Sequence, residues 1–334
     1  MARGLLVLAA WGLLLGQPDR FARAGTRLGD DPATKPAAKP SPAATPSPAP
    51  EVGRPDGPKA PAGPTLRLNQ AVVMGASVSA GFLAQWPVRV PARGDQPEQT
   101  RAVPINMADV LGAMSADPAA RPASFADQFF FQRPGAVAQR QLDSALAFRP
   151  TLVLAIDYLF WHAYGNVLDE SDRARRFEEG LARLARLDAP MVVGDLPDMR
   201  HAGVMLSPAQ VPKPETLAQL NARLAAWASE HPRVVVVPVS RFVADLRAGQ
   251  ALQMAGRTIP IDEARGYFLA DALHASPKGL VAVADDMLLR LRAAGLIDSD
   301  VTWLNDADEV LARLKPAAVE RAEPVKKKGA AEAK

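Results

Sequence analysis

Four short runs in this chain are apolar at nearly every position and rich in β-branched residues. They are 71–74 (Ala71-Val72-Val73-Met74), 151–156 (Thr151-Leu152-Val153-Leu154-Ala155-Ile156), 191–193 and 234–237 (Val234-Val235-Val236-Val237). Unbroken runs of this length suit strands buried on both faces, as in a parallel sheet covered by helices, rather than strands with one wet face. Segments of helical period lie between and after them, at 107–114, 137–148, 173–187, 214–229 and 277–294. In the third of these, Phe177, Leu181, Leu184 and Leu187 share one face while Arg176, Glu179, Arg183 and Arg186 fall elsewhere, so one stripe packs and the rest is solvated. Strand and helix in alternation predict a three-layer α/β/α sandwich with a parallel sheet of about five strands. In such a fold the reactive groups gather at the carboxyl ends of the strands. The pattern fills residues 65–315 as one domain, without a repeat of solenoid length.

The ends of the chain read differently. Arg3, the apolar run 5–15 and the small residues around Ala22-Arg23-Ala24 have the layout of a signal peptide covering 1–24, with a mature chain starting near Gly25. This predicts an exported protein, periplasmic or extracellular; left uncleaved, the same segment would serve as a tether. The run is short against the ~20 residues of a spanning helix, and no other segment is apolar for long enough, so no integral span is expected in the mature form. Residues 25–64 mix Pro, Ala and Lys with almost no large apolar side chains. They cannot bury enough surface to offset the entropy of ordering, and read as a disordered linker; the Lys/Ala-rich stretch 316–334 reads as a disordered tail.

Composition narrows the function classes. Thirty-nine Lys and Arg against 36 Asp and Glu give a net charge of +3, with Lys326-Lys327-Lys328 clustered in the tail. That balance argues against a nucleic-acid partner. With no cysteine, disulfides, thiolate metal sites and a lipid-bearing cysteine are all excluded.

Two short segments carry candidate chemistry. The first apolar run leads into Gly75-Ala76-Ser77-Val78-Ser79-Ala80-Gly81, which places a serine among small residues where a strand must turn toward a helix. A plain turn or a phosphate-binding loop can look the same. Near the far end lies Asp271-Ala272-Leu273-His274-Ala275-Ser276-Pro277. Asp and His three apart on one turn let the carboxylate fix the imidazole tautomer whose other nitrogen faces a serine hydroxyl, the logic of a catalytic triad. The plain alternative is capping of the helix that begins near Pro277.

Taken together, the two segments resemble the SGNH/GDSL hydrolases, whose nucleophile block reads Gly-Asp-Ser-x-Ser-x-Gly and whose last block reads Asp-x-x-His. The resemblance spans roughly 66–296 and implies a flavodoxin-like fold. It implies Ser77 as nucleophile with its own N–H in the oxyanion hole, His274 as general base, and Asp271 as the residue orienting it. Gly135, in Arg133-Pro134-Gly135-Ala136, matches the glycine of the second block, whose N–H donates to the oxyanion; it is equally ordinary punctuation at a helix start. Two positions depart from the family. Ala76 stands where the nucleophile block has Asp. Asp157, in Ala155-Ile156-Asp157-Tyr158, stands where the third block has the asparagine whose amide donates to the oxyanion. An ionised carboxylate only accepts. Four accounts follow: Asp157 stays protonated and donates; it points away, leaving backbone donors and a slower enzyme; hydrolysis has been lost and binding kept; or Asp157 is a strand-end residue satisfying backbone amides.

Beyond that strand, in a chain only 6% aromatic, comes Tyr158-Leu159-Phe160-Trp161-His162-Ala163-Tyr164. Trp161, His162 and Tyr164 are candidates for a substrate platform at the pocket mouth, with packing against neighbouring helices as the alternative. Asp195, Asp198 and His201 have metal-ligand chemistry, but the interposed Pro197 and lack of a helical frame favour an ordinary loop, and His231 before Pro232 reads as a turn residue. No metal or organic cofactor is called for. The reading is an exported serine esterase that cleaves a small-molecule or polymer-borne ester, such as O-acyl groups on a carbohydrate, through an acyl-enzyme. The alternatives are an inactive glycan-binding protein of the same fold and an O-acyltransferase.

Overall fold

The computed structural model describes residues 68–314 apart from 91–96, 118, 203–204 and 272. The expected signal segment 1–24, linker 25–64 and tail 316–334 lie outside the described residues. Strand β1 (Ala71–Val73) is followed by an antiparallel pair, β2 (Gln85–Val90) with β3 (Gln99–Pro104), then helix α1 (Met107–Met114) and the two-residue strand β4 (Ala123–Ser124). Helix α2 (Pro134–Phe148) leads into β5 (Leu152–Ala155), the short α3 (Phe160–Ala163) and α4 (Glu170–Leu184). After these come β6 (Met191–Gly194), α5 (Pro214–Glu230), β7 (Val234–Val237) and α6 (Val239–Arg247). The hairpin β8 (Leu252–Met254) and β9 (Arg257–Ile259), then α7 (Ile261–Arg265), α8 (Pro277–Ala293) and α9 (Ala307–Ala312) complete the domain.

The five strands β4-β1-β5-β6-β7 form one parallel sheet in that spatial order. Pairings such as Ala71 with Leu152, Leu154 with Val192 and Val192 with Val235 set its register. Counted within the sheet the order is 2-1-3-4-5, the flavodoxin-like arrangement, and the strand order reverses between β1 and β5. Connections leave such a point in opposite directions and open a crevice at the carboxyl ends of the strands.

The central strands β1, β5 and β6 are buried on both faces, as their unbroken apolar runs require, whereas the edge strands differ: β7 is half-buried over Val234–Val236 and β4 is largely exposed. Ala71, Val73, Leu152, Leu154 and Val192 face a layer that includes Val110, Leu111, Leu280 and Leu288 of α1 and α8. Val72, Met74, Val153 and Val193 face Leu142, Phe177, Leu181 and Leu224 of α2, α4 and α5. Four helices start at side-chain caps: Asn106 and Asp109 form a reciprocal pair at α1, Asp169 accepts the Asp172 N–H at α4, Ser276 accepts the Gly279 N–H at α8, and Asp306 accepts the Glu309 N–H at α9. The α4 cap, with Glu170 and Asp172 in the first turn, explains why this helix begins three residues before the 173–187 expected from its apolar stripe. Four of the five sheet strands coincide with the apolar runs. The fifth, β4, is two residues long at the sheet edge and has no hydrophobic signature. Hairpin β8–β9 turns on Ala255 and Gly256, both at positive φ, which suits the right-handed twist of the flanking strands. Among the described residues no helix is long and apolar enough to cross a membrane.

Candidate active site

The chain leaves β1 through Gly75 at φ +141°, a conformation that side chains disfavour, and a Cβ there would lie 2.1 Å from Asp157 Oδ1. Two partners grip the turn from below. Gln141 of α2 accepts the Gly75 N–H at 2.9 Å and donates to the Gly75 carbonyl at 2.8 Å. Asp157, at the exit of β5, accepts the N–H of Ala76 (3.0 Å) and the Ser79 hydroxyl (2.5 Å) on Oδ1, and the N–H groups of Val78 (2.8 Å) and Ser79 (3.2 Å) on Oδ2. The remaining amides of the loop bond backward within it: Ala80 to Ala76, Gly81 to Val78, and Phe82 to Ser77.

One residue is passed over. Among the described residues the Ser77 N–H has no acceptor and its hydroxyl has no partner, while every other N–H from Met74 to Phe82 is spent. A residue with both groups uncommitted, between amides drawn to a carboxylate beneath, has the form of a nucleophile with a backbone oxyanion donor.

The same hydrogen bonds define the surroundings of Asp157. Both of its oxygens are engaged as acceptors by the serine loop, which is the strand-end role, and neither is left to donate to an oxyanion. Burial pushes its carboxyl above the usual range against the pull of the Ser79 hydroxyl and the three amides.

The second group comes from the segment before α8. Asp271 Oδ1 accepts the N–H groups of Leu273 and His274, and Oδ2 lies 2.7 Å from His274 Nδ1. Burial opposes ionisation of Asp271, but hydrogen bonds from the His274 ring and the two amides prevail, and its carboxyl is held below the usual range. With Nδ1–H donating to that carboxylate, Nε2 is left as the basic nitrogen. The segment is held firmly: Leu269 N–H donates to the His274 carbonyl at 2.8 Å and Ser276 N–H to the Tyr267 carbonyl at 2.9 Å. Gly279 passes so close to Tyr267 that a Cβ would sit 1.9 Å from its carbonyl oxygen.

Phe82 joins the two groups. Its N–H closes the serine turn onto the Ser77 carbonyl at 2.8 Å, and its ring rests on the His274 imidazole with centroids 4.8 Å apart. Among the described residues no hydrogen bond joins Ser77 Oγ to His274; unliganded sites of this chemistry are often loose at that contact.

The other candidates lie elsewhere. Gly135 is exposed in the first turn of α2, with Arg183 Nη2 4.0 Å from where its Cβ would be. The residue of that helix reaching the serine loop is Gln141, six residues and ~9 Å of helix rise further on. His162 and Tyr164, 2% and 0% exposed, are packed in the interior, while Trp161 keeps 8% of its surface exposed. Tyr164 stacks on Phe160 at 4.1 Å and bonds to Pro197, while His162 lies against Phe130 and Tyr158. Burial, reinforced by Arg183, pushes the His162 imidazole down to about 4, so it is neutral at pH 7. Asp195 accepts the Ser240 N–H at the start of α6 and Asp198 pairs with Arg200; among the described residues no cluster of three metal-ligating side chains forms. His231 bonds the Trp227 carbonyl at the end of α5.

Sequence reasoning passed over Gln141 and Phe82. A signal existed for the first: it lies within the apolar stripe Val137, Ala138, Leu142 and Ala145, where a buried amide needs a partner.

No family model matches this sequence, and no curated protein matches it. A solved structure of a gut microbial diltiazem-metabolizing enzyme aligns with 70% of this chain at 14% identity and a TM-score of 0.40. The chain spans 48% of that structure, about half its length, and a likeness of that degree says nothing of activity.

Proposed function

We propose that the protein is a serine ester hydrolase in which Ser77 is the nucleophile, His274 the general base and Asp271 its orienting carboxylate. The observation that carries the reading is the serine loop itself: of all its amides only that of Ser77 is unspent, on the one residue whose hydroxyl is also free, and Phe82 of the same loop lies against a histidine whose Nδ1 is held by a carboxylate. In the first step Ser77 Oγ bonds to the ester carbonyl carbon as His274 Nε2 takes the hydroxyl proton, and the oxyanion accepts from the Ser77 N–H. Collapse breaks the bond to the alcohol oxygen, which leaves with the proton from His274. Water then attacks the acyl-enzyme, giving its proton to His274, and release of the acid restores Ser77. Asp271 stabilises the imidazolium in both halves. An acceptor alcohol in place of water would make the same acyl-enzyme an O-acyltransferase.

Asp157 is a positioning residue in this scheme. It draws the amides on either side of Ser77 downward and leaves that of Ser77 facing outward. The cost is one side-chain oxyanion donor, a loss on the order of 10²–10³ in rate, so activated esters are the natural first substrates.

The test is incubation of the full chain with a fluorophosphonate probe, beside Ser77→Ala, with the label located by peptide mass spectrometry. Label on Ser77, absent from the variant, is the expected result. A folded protein that takes no label across neutral and mildly alkaline pH is not a serine hydrolase, and the binding-protein alternative then stands.

A further inference from the structure

Large apolar side chains in this domain are mostly interior, yet two phenylalanines stand out beside the serine loop. The turn Phe130–Gln132 lies between β4 and α2. Phe130 is fully buried, its ring 5.6 Å from Tyr158 and 5.8 Å from His162, and this anchor turns its two neighbours outward: Phe129 is 46% and Phe131 45% exposed. Their rings lie 6.4 Å apart, and Phe131 lies 5.6 Å from Trp161. The turn is rigidly tied. Asp127 donates its N–H to the Gly75 carbonyl at 3.0 Å, its carboxylate accepts the Phe129 N–H at 2.8 Å, and Arg140 pairs with the same carboxylate. Phe129 and Ser77 are each two residues beyond that hydrogen bond.

Topology locates the ledge. Phe129 and Phe131 follow β4, Trp161 follows β5, and β1, which delivers Ser77, lies between those strands in the sheet. The ledge therefore bridges the exits on either side of the serine strand. It belongs to the layer of α2 and α4, where Phe130 and Trp161 are packed, whereas His274 is carried on the segment that enters α8 of the opposite layer, with Ala275 packed there and Leu273 packed with the ledge's layer. Base and ledge are thus delivered by segments that enter helices on opposite faces of the sheet.

From this arrangement we infer that Phe129, Phe131 and the Trp161 edge bind the acyl part of the substrate, which is an ester of a medium-chain or aromatic acid rather than an acetate. The inference rests on the serine-hydrolase reading. The leaving oxygen must face His274 to receive its proton, which directs the alcohol to the base side and the acyl group to the far side, where the aromatic surface is. An exposed, anchored aromatic surface favours an apolar chain and offers nothing to a methyl group.

The experiment measures kcat/KM for p-nitrophenyl acetate, butyrate, octanoate and benzoate, and for acetates of progressively larger alcohols. A rise of roughly tenfold or more from acetate to octanoate is expected, with little response to alcohol size. In Phe129→Ala and Phe131→Ala, both exposed positions that leave the core intact, the octanoate-to-acetate ratio should fall at least about threefold, through KM. A flat acyl series, a dependence on the alcohol instead, or an unchanged ratio in both variants overturns the ledge. Fluorophosphonate labelling separates the two readings: label on Ser77 with a flat acyl series removes the ledge alone, whereas neither label nor turnover removes both.

Discussion

Two segments leave adjacent strands at the same edge of the sheet and use their polar groups in opposite ways. The loop after β1 commits every amide but that of Ser77 to partners beneath or within it, so that a single residue is left free to react. The segment after β5 sends Asp157 sideways into that loop and buries Tyr158, His162 and Tyr164 in the helix layer, where their polar atoms serve the fold or go unpaired. Reactive residue types at a strand exit are therefore insufficient to make a site. What distinguishes the two is which groups remain unspent, and the second segment is the support on which the first is set.

The contrast is sharpest for the Asp–His pair. Asp271→Asn keeps the shape but offers an amide that favours the wrong imidazole tautomer, and ester hydrolysis should fall on the order of 10³–10⁴ in kcat, with the protein still folded by circular dichroism. A loss below tenfold would mean that His274 needs no orienting carboxylate.

Next in size is Asp157→Asn, which asks whether the second segment supports the first. An amide in place of the carboxylate sets an N–H donor against at least one backbone N–H of the loop. A fall of about 10–100-fold in kcat with little change in KM is expected, together with a stability loss of about 1–3 kcal/mol by denaturant unfolding. The family resemblance alone points the other way, since it would have the new amide stabilise the oxyanion and raise kcat. The sign of the effect decides between support and donor.

The smallest effect concerns the buried imidazole. His162 has its pKa depressed to about 4 in the fold, from 6.5, so below pH 6.5 the unfolded chain binds a proton that the folded one refuses. Its contribution to stability is intact above pH 6.5 and is lost as pH falls toward 4, by about 3 kcal/mol at most. His162→Leu should flatten the pH dependence of unfolding across that window. An unchanged acid limb would show that His162 titrates normally and is not part of the packed layer.

Much of this was legible along the chain. The runs at 71–74, 151–156, 191–193 and 234–237 announce strands of a parallel sheet, the first three buried on both faces and the last half-buried at the edge, and the helix at 107–114 coincides with its stripe because Asn106 and Asp109 cap it locally. The pairing of Asp271 with His274 was legible for the same reason, three residues on one turn being a local geometry. Gly135 stayed ambiguous because a glycine beside a helix start carries two meanings, and only the fold shows that Gln141 is where that helix hydrogen-bonds the serine loop. Phe129 and Phe131 carry no comparable signal in the sequence, because they follow β4, a two-residue edge strand with no apolar run.

Sequence by itself determined the strands, the helices and the local turns carrying Ser77 and the Asp271–His274 pair, because each depends on residues within one or two turns of each other. Tertiary structure alone decided that Asp157 accepts from amides 78 to 81 residues away, that Gln141 brackets Gly75 from 66 residues on, and that Phe130 turns inward while its neighbours turn out. Those outcomes follow from which strands are adjacent and in what register, and from which side of the sheet each helix covers. They depend on long-range packing that no local pattern encodes.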